Sequence, residues 1–282
     1  MILVTGATGT VGRAVIDRLL EQGAPIRALA RRPANLPEGV EIVPGDLGEP
    51  ADVAAALDGV EQVFLLSSGP HLAEYDANVA TAAAAAGVRH IVKLSSGRAG
   101  DATASDPIPR WHRDGEVAVR GCGVPWTILR PLGFMSNALH WAGSIRGDGT
   151  VRAPFGQGRI AVVDPDDIAA VAVRVLTEPG HAGRIYPLSG PRALSPGEQT
   201  EILAAVLGRP LRFVETTPEA ARESLLSYGV EPEMAAAIMA LRATALESFT
   251  SVVHPEVELI TGRPARDFRD WVRAHRTEFA AA

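Results

Sequence analysis

The sequence predicts an α/β fold, a doubly wound parallel sheet followed by a smaller C-terminal α+β region. Three observations predict it. The early strands read as continuous apolar runs rather than alternating ones, which marks a sheet covered on both faces. Helical patterns separate these runs, so the strands join through right-handed crossovers. A glycine-rich turn over residues 5–12 lies between the first strand and the first helix. The 282 residues suffice for one large domain or two small ones.

Ile2, Leu3 and Val4 form the first strand. Apolar residues then recur at helical spacing over 11–20, and Gly23 closes that helix. Residues 25–30 and 40–43 read as strands, the second turning at Pro44-Gly45-Asp46, and a short helix follows at about 51–57. Residues 63–66 are the fourth strand. The alanine-rich stretch at about 72–86 is a helix by propensity, ended by Gly87. Residues 90–94 and 126–130 are the fifth and sixth strands, on either side of a helix at about 110–120. Asp164 caps a helix reaching about residue 176, with Pro165 in its first turn. Residues 195–207 are a helix stopped by Gly208, and 211–214 are a strand. Helices are expected at about 218–226, 232–249 and 264–274. Gly147-Asp148-Gly149 and Gly156-Gln157-Gly158 read as turns. The expected organisation is a first domain over residues 1–150 and a second region over 151–282, partly interleaved with it.

Composition excludes several classes. At 46% hydrophobic and 21% charged, the chain is neither disordered nor a small disulfide module. A net charge of -6 argues against nucleic acid or an anionic membrane as partner. The single cysteine, Cys122, makes no internal disulfide or metal cluster, and a reducing, cytoplasmic setting is expected. No run approaches 18 apolar residues, and the start lacks the basic leader of a signal peptide. Of 27 basic residues, Lys93 is the only lysine. The expected partner is a small molecule; monomer and homodimer both stay open.

The turn Thr5-Gly6-Ala7-Thr8-Gly9-Thr10-Val11-Gly12 carries the chemistry. Gly6 permits a tight turn, Gly9 lets a pyrophosphate approach the backbone, and Gly12 lets helix and strand pack closely. Free amides at the helix start then hold the anion. This strand–turn–helix context is that of a dinucleotide-binding Rossmann fold, with Gly6, Thr8, Gly9, Thr10, Val11 and Gly12 as binding residues. Arg31 and Arg32 follow the second strand, where an NAD site usually offers Asp or Glu. An arginine there accommodates a 2′-phosphate, so NADP(H) is the expected cofactor. Asp46 and Leu47 follow the third strand, at the adenine edge. Asp46 either accepts from the adenine amino group or caps its own turn.

The sequence resembles the NmrA-like branch of the atypical short-chain dehydrogenase/reductases. The resemblance rests on residues 4–12, on Gly45-Asp46-Leu47, on Val92-Lys93-Leu94-Ser95-Ser96 and on Trp126-Thr127-Ile128-Leu129-Arg130-Pro131. Phe134-Met135-Ser136-Asn137, residues 164–169 and Tyr186-Pro187-Leu188-Ser189-Gly190-Pro191 extend it over most of the chain. It implies an NADPH-binding sheet and a smaller substrate region. It also implies that Leu66, Ser67 and Ser68 flank the cofactor, and that Ser95 and Ser96 lie near nicotinamide. An ordinary polar pair at a strand end is the other reading of these two serines. Pro131, Leu132, Gly133 and Phe134 would cover the amide side, while Arg130 and Asn137 would tie the sheet to the smaller region.

The wider superfamily carries Tyr-x-x-x-Lys on the helix after strand five. The tyrosine donates a proton as hydride arrives, and the lysine lowers its pKa. Here the motif is absent: four residues beyond Tyr75, Tyr186 and Tyr228 stand Val79, Gly190 and Pro232. Aligning Glu116 with the family's helix glutamate places His112 at the lysine position and Ile108 at the tyrosine position. Either His112 acts as donor or ribose ligand, titrating near neutrality, or water or an electron-poor substrate meets the proton requirement, or no chemistry occurs. A helix-surface role for His112 is the plain alternative. His71, His140, His181 and His254 show no metal-ligand spacing, Asp164, Asp166 and Asp167 read as a helix cap, and Cys122 has no assigned role. Met135, Trp141 and Phe155 line an apolar pocket or belong to the core.

The reading that follows is an NADPH-dependent reductase of a small apolar carbonyl, quinone or imine, in biosynthesis or detoxification, with His112 and Ser96 as catalytic candidates. The alternatives are a non-catalytic NADP(H) sensor and an isomerase or epimerase on the same fold.

Overall fold

The computed structural model describes residues 1–31 and 35–280. Its first half alternates β1 (Ile2–Val4), α1 (Thr10–Glu21), β2 (Ile26–Ala30), β3 (Val40–Pro44), α2 (Pro50–Ala56), β4 (Gln62–Leu65), α3 (Leu72–Ala86), β5 (His90–Leu94), α4 (Pro107–Gly121) and β6 (Trp126–Pro131). The second half holds α5 (Ala142–Asp148), β7 (Thr150–Ala153), α6 (Pro165–Thr177), β8 (Arg184–Leu188), α7 (Pro196–Leu207), β9 (Arg212–Glu215), α8 (Pro218–Ser227), α9 (Pro232–Ala243), α10 (Glu256–Thr261) and α11 (Phe268–Ala274).

Seven strands form one parallel sheet in the order β3-β2-β1-β4-β5-β6-β8, the doubly wound arrangement expected. The winding reverses between β1 and β4, so a crevice opens there beyond the C-terminal ends of the strands. Alternation along β5 assigns its faces. Ile91 joins the core beneath α2, α3 and α4, whereas Val92 and Leu94 join the core beneath α1 and α6. Lys93 therefore points to the α3/α4 face. A third apolar cluster, built around Ile145, Leu203, Phe268 and Trp271, packs α5, α7 and α11 beside the two-stranded β7–β9 pair.

Several elements differ from expectation. The seventh strand, β8, was not expected, because Pro187 interrupts its apolar pattern. It lies at the sheet edge, where a missing N–H is tolerated. Helix α4 begins at Pro107, since Pro107 opens the helix after Asp106. Helix α9 ends at Ala243, and two 3-10 turns, Thr244–Leu246 and Ser248–Ser251, occupy the rest of the expected helix. The last expected helix starts at Phe268 with Asp267 as its cap, and α5, β7 and α10 were unforeseen. Gly147 and Asp148 belong to the end of α5, and Gly149 closes it at φ 68°. Among the described residues no single helix is long and apolar enough to cross a membrane, and no cluster of three or more His, Cys, Asp or Glu is arranged for a metal.

Candidate active site

The turn after β1 is sterically closed around glycine. Gly6 has φ 61°, and a Cβ on it would lie 2.6 Å from Cδ2 of Leu66. A Cβ on Gly12 would overlap the carbonyl oxygen of Gly6 and lie 2.7 Å from its carbonyl carbon. The Gly9 amide donates to the Gly6 carbonyl at 3.0 Å, closing the turn. Thr5 Oγ1 fixes its outer wall, donating to the Leu66 carbonyl and accepting from the Leu66 amide, both at 2.8 Å. Among the described residues no side chain caps α1 at Gly9, so its first amides are available to an anion. This cradle fits a dinucleotide pyrophosphate.

A cavity of about 670 Å³ opens beside the cradle, at the switch point. The glycine turn supplies Gly6 and Thr8, β2 ends in it at Arg31, and Asp46 and Leu47 enter after β3. Leu66, Ser67 and Ser68 enter after β4. The structure thus brings eight of the expected cofactor residues to one cavity. Tyr75 of α3 reaches the same cavity, although its sequence signal was only that of a tyrosine without its lysine. Arg32 lies outside the described residues.

Gly9 and Thr10 stand exposed at the mouth of the turn, while Val11 turns its side chain into the core. Both readings of Asp46 involve its carboxylate, and one oxygen is committed: Oδ1 accepts from the Gly48 amide at 2.8 Å, capping the turn.

Ser95, Ser96, Pro131, Phe134 and His112 do not line this cavity. They cluster at the ends of β5 and β6 and along α4. A Cβ on Gly97 would lie 2.6 Å from Cδ2 of Leu132 and 3.0 Å from the carbonyl oxygen of Pro131, so the chain after Ser96 packs closely on the chain after β6. Phe134 is half-buried, and its segment is held by Val163, whose amide donates to the Gly133 carbonyl at 2.8 Å.

Two serine–carboxylate–cation units lie between the sheet and helices α3 and α4. Ser67 Oγ donates to Asp76 Oδ1 at 2.6 Å, and Asp76 pairs with Lys93; both charged side chains are 0% exposed. Ser95 Oγ donates to Glu116 Oε1 at 2.5 Å, and Arg130 grips the same carboxylate. Arg130 therefore ties β6 to α4, rather than the sheet to the smaller region. Burial raises the Asp76 carboxyl above its ordinary range, opposed by the Lys93 ammonium.

His112 is half-buried on α4, and its Nδ1 is buried with no hydrogen-bond partner among the described residues. Burial, reinforced by the Lys93 charge, pushes its pKa down to about 3. This shift runs against the expected titration near neutrality. Burial and the nearby Lys93 charge both favour the neutral imidazole.

Comparison with known proteins agrees with this geometry. The model of a family described as NAD(P)H-binding matches residues 6–179. The chain is 50% identical to (4-alkanoyl-5-oxo-2,5-dihydrofuran-3-yl)methyl phosphate reductase of Streptomyces griseus, over 99% of each chain. It is 40% identical to the NAD(P)H azoreductase of Xenophilus azovorans, over 100% of each. Its fold superposes on an NADPH complex of a quinone oxidoreductase from Escherichia coli with a TM-score of 0.86 at 28% identity, covering 98% of this chain and 100% of that one. On the family match over most of the chain and the full-length likeness to these relatives, the chain belongs to the NAD(P)H-binding family, within the NmrA-like atypical short-chain dehydrogenase/reductases.

Proposed function

We propose that this chain is an NADPH-dependent reductase of small, electron-poor conjugated acceptors, such as quinones, conjugated carbonyl compounds and imines. One observation carries the choice of acceptor. The chain has no Tyr-x-x-x-Lys, and the histidine in the lysine position is neutral, so no strong side-chain acid waits at the expected place. An acceptor that delocalises the incoming negative charge lowers the need for one. The relatives fit this chemistry, since their names specify a conjugated furanone phosphate, an azo function and a quinone.

When bound, NADPH supplies the hydride. The chain's own residues supply position. The cradle amides and Gly9 would hold the pyrophosphate, and Arg31 at the end of β2 would hold the 2′-phosphate. Ser67 and Ser68 line the same cavity. Ser96, Pro131 and Phe134, at the ends of β5 and β6, would lie toward the nicotinamide end of the cofactor, with Ser95 tied to Glu116 beneath them. His112 and Ser96 donate hydrogen bonds to the acceptor as neutral groups, which polarise it without a full proton charge.

The test is NADPH consumption across a panel of quinones, conjugated furanones, azo dyes and isolated ketones. Conjugated acceptors are expected to turn over and isolated ketones to fail. Equal turnover of isolated ketones would reveal an acid that this reading lacks. Tight NADPH binding with no reduction of any acceptor would favour a sensor instead.

A further inference from the structure

In the chemistry proposed above, the pair Asp76–Lys93 enters only through the Lys93 charge that helps keep His112 neutral. Both side chains are wholly withdrawn from water. A buried ion pair gains little over well-packed apolar side chains, so stability alone accounts for it poorly. Ser67 links the pair to the cavity: it lines the cavity and donates to Asp76 Oδ1 at 2.6 Å.

We infer that Asp76 and Lys93 are cofactor-positioning residues, acting through Ser67 on the wall of the NAD(P)H cavity. The inference rests on reading that cavity as the NAD(P)H site. A serine hydroxyl has one proton, and here Asp76 takes it. The oxygen that Ser67 turns to the cavity is therefore an acceptor, which suits a sugar hydroxyl as donor. Without Asp76 the hydroxyl rotates freely and presents donor or acceptor at random.

Helix α4 is shaped for the carboxylate. A Cβ on Gly115 would lie 3.0 Å from Cγ of Asp76 and closer still to Oδ2, so only glycine leaves room for the pair at that turn. Three groups act on Asp76. Lys93 from β5 and Ser67 from the loop after β4 hold its charge, and Glu116 of α4 opposes it. Lys93 stands on β5 with its ammonium directed to α3 and α4, so the strand fixes the carboxylate and the carboxylate fixes the serine.

The test is a mutant cycle read by calorimetric titration with NADPH. Its members are wild type, Ser67→Ala, the pair variant Asp76→Leu/Lys93→Met, and all three changes together. The pair variant replaces charge with apolar volume and is expected to fold. Ser67→Ala and the pair variant should each weaken NADPH binding, by about 10-fold for a charge-assisted contact. The combined variant should be no weaker than the weaker of the two, because the pair acts through the serine. Effects that multiply, or a pair variant with wild-type affinity, would overturn the inference.

Gly115→Ala gives a second arm that keeps both charges. Its methyl displaces the Asp76 carboxylate from outside the cavity, and NADPH affinity should fall with it; unchanged affinity would overturn the inference. Absence of NADPH binding to the wild type would sink the cavity reading and this inference together. A wild type that binds, with a pair variant that binds equally, sinks this inference alone.

Discussion

Arg130 holds Glu116 in a fork, with Nε 2.9 Å from Oε1 and Nη2 2.5 Å from Oε2. The Glu116 side chain is only 3% exposed, and its Oε1 also accepts from Ser95. One carboxylate thus joins strand β6, helix α4 and the end of β5. Truncating Arg130 leaves that carboxylate buried without its cation, which costs about 3–5 kcal/mol. Arg130→Leu should therefore lower the urea midpoint steeply. Adding Glu116→Gln should recover part of the loss, because a neutral amide needs no counter-ion. A single variant with wild-type stability would show that the fork is dispensable.

Gly12→Ala should remove NADPH binding. The added methyl overlaps the Gly6 carbonyl, and backbone on both sides cannot yield as a flexible side chain would. Overpacking of this kind costs about 1–3 kcal/mol, and the cradle opens to relieve it. Gly23→Ala is the control. Gly23 has φ 68° but nothing within 4 Å of its would-be Cβ, so only the left-handed backbone is strained, by about 1–2 kcal/mol. Its melting temperature should fall while NADPH affinity stays unchanged. Calorimetric titration of both variants separates the two causes.

Arg31 stands at the end of β2 on the cavity wall, with its side chain exposed. A guanidinium in that place gains a charge-assisted contact from the 2′-phosphate and nothing comparable from a 2′-hydroxyl. Arg31→Ala should weaken NADPH binding by about 10-fold and leave NADH affinity nearly unchanged. Equal losses for both nucleotides would mean that Arg31 supports the loop rather than reads the phosphate.

The doubly wound core was legible because its strands are buried on both faces and therefore lack polar interruptions. Ile2–Val4 shows this directly. The glycine turn was legible for the same kind of reason, since its backbone clashes tolerate one residue type. Edge elements were harder to read. Strand β8 carries Pro187 and an exposed Arg184, a pattern that a central strand could not hold. The polar layer was hidden most completely. Lys93 read as a strand residue, and Asp76 and Gly115 read as helix residues. Only the crossing of β5 with α3 and α4 makes them neighbours, and no local pattern encodes a contact between residues 76, 93 and 115.

The neutrality of His112 has a measurable consequence in the pH dependence of stability. Its pKa falls from the usual 6.5 to about 3 because the imidazole is buried, with Lys93 adding like charge. Between those values the unfolded chain binds a proton that the folded chain refuses. Stability therefore rises with pH across this window, is fully present above about 6.5, and is lost as the pH falls toward 3. The slope approaches about 1.4 kcal/mol per pH unit once the unfolded histidine is protonated. Asp76 and Asp167, both raised by burial, act with the opposite sign at the acid end, so the wild-type curve alone does not isolate the histidine. The difference from His112→Gln does, because glutamine carries no charge at any pH. Urea midpoints at about pH 7.5 and about pH 5 should show the wild type losing about 1–2 kcal/mol more than the variant. Turnover should likewise show no ionisation of His112 between about pH 5 and 8. A rate limb near the ordinary histidine pKa that disappears in His112→Gln would mean that the imidazole is open to solvent when NADPH is bound. The acid missing from α4 would then be His112 itself.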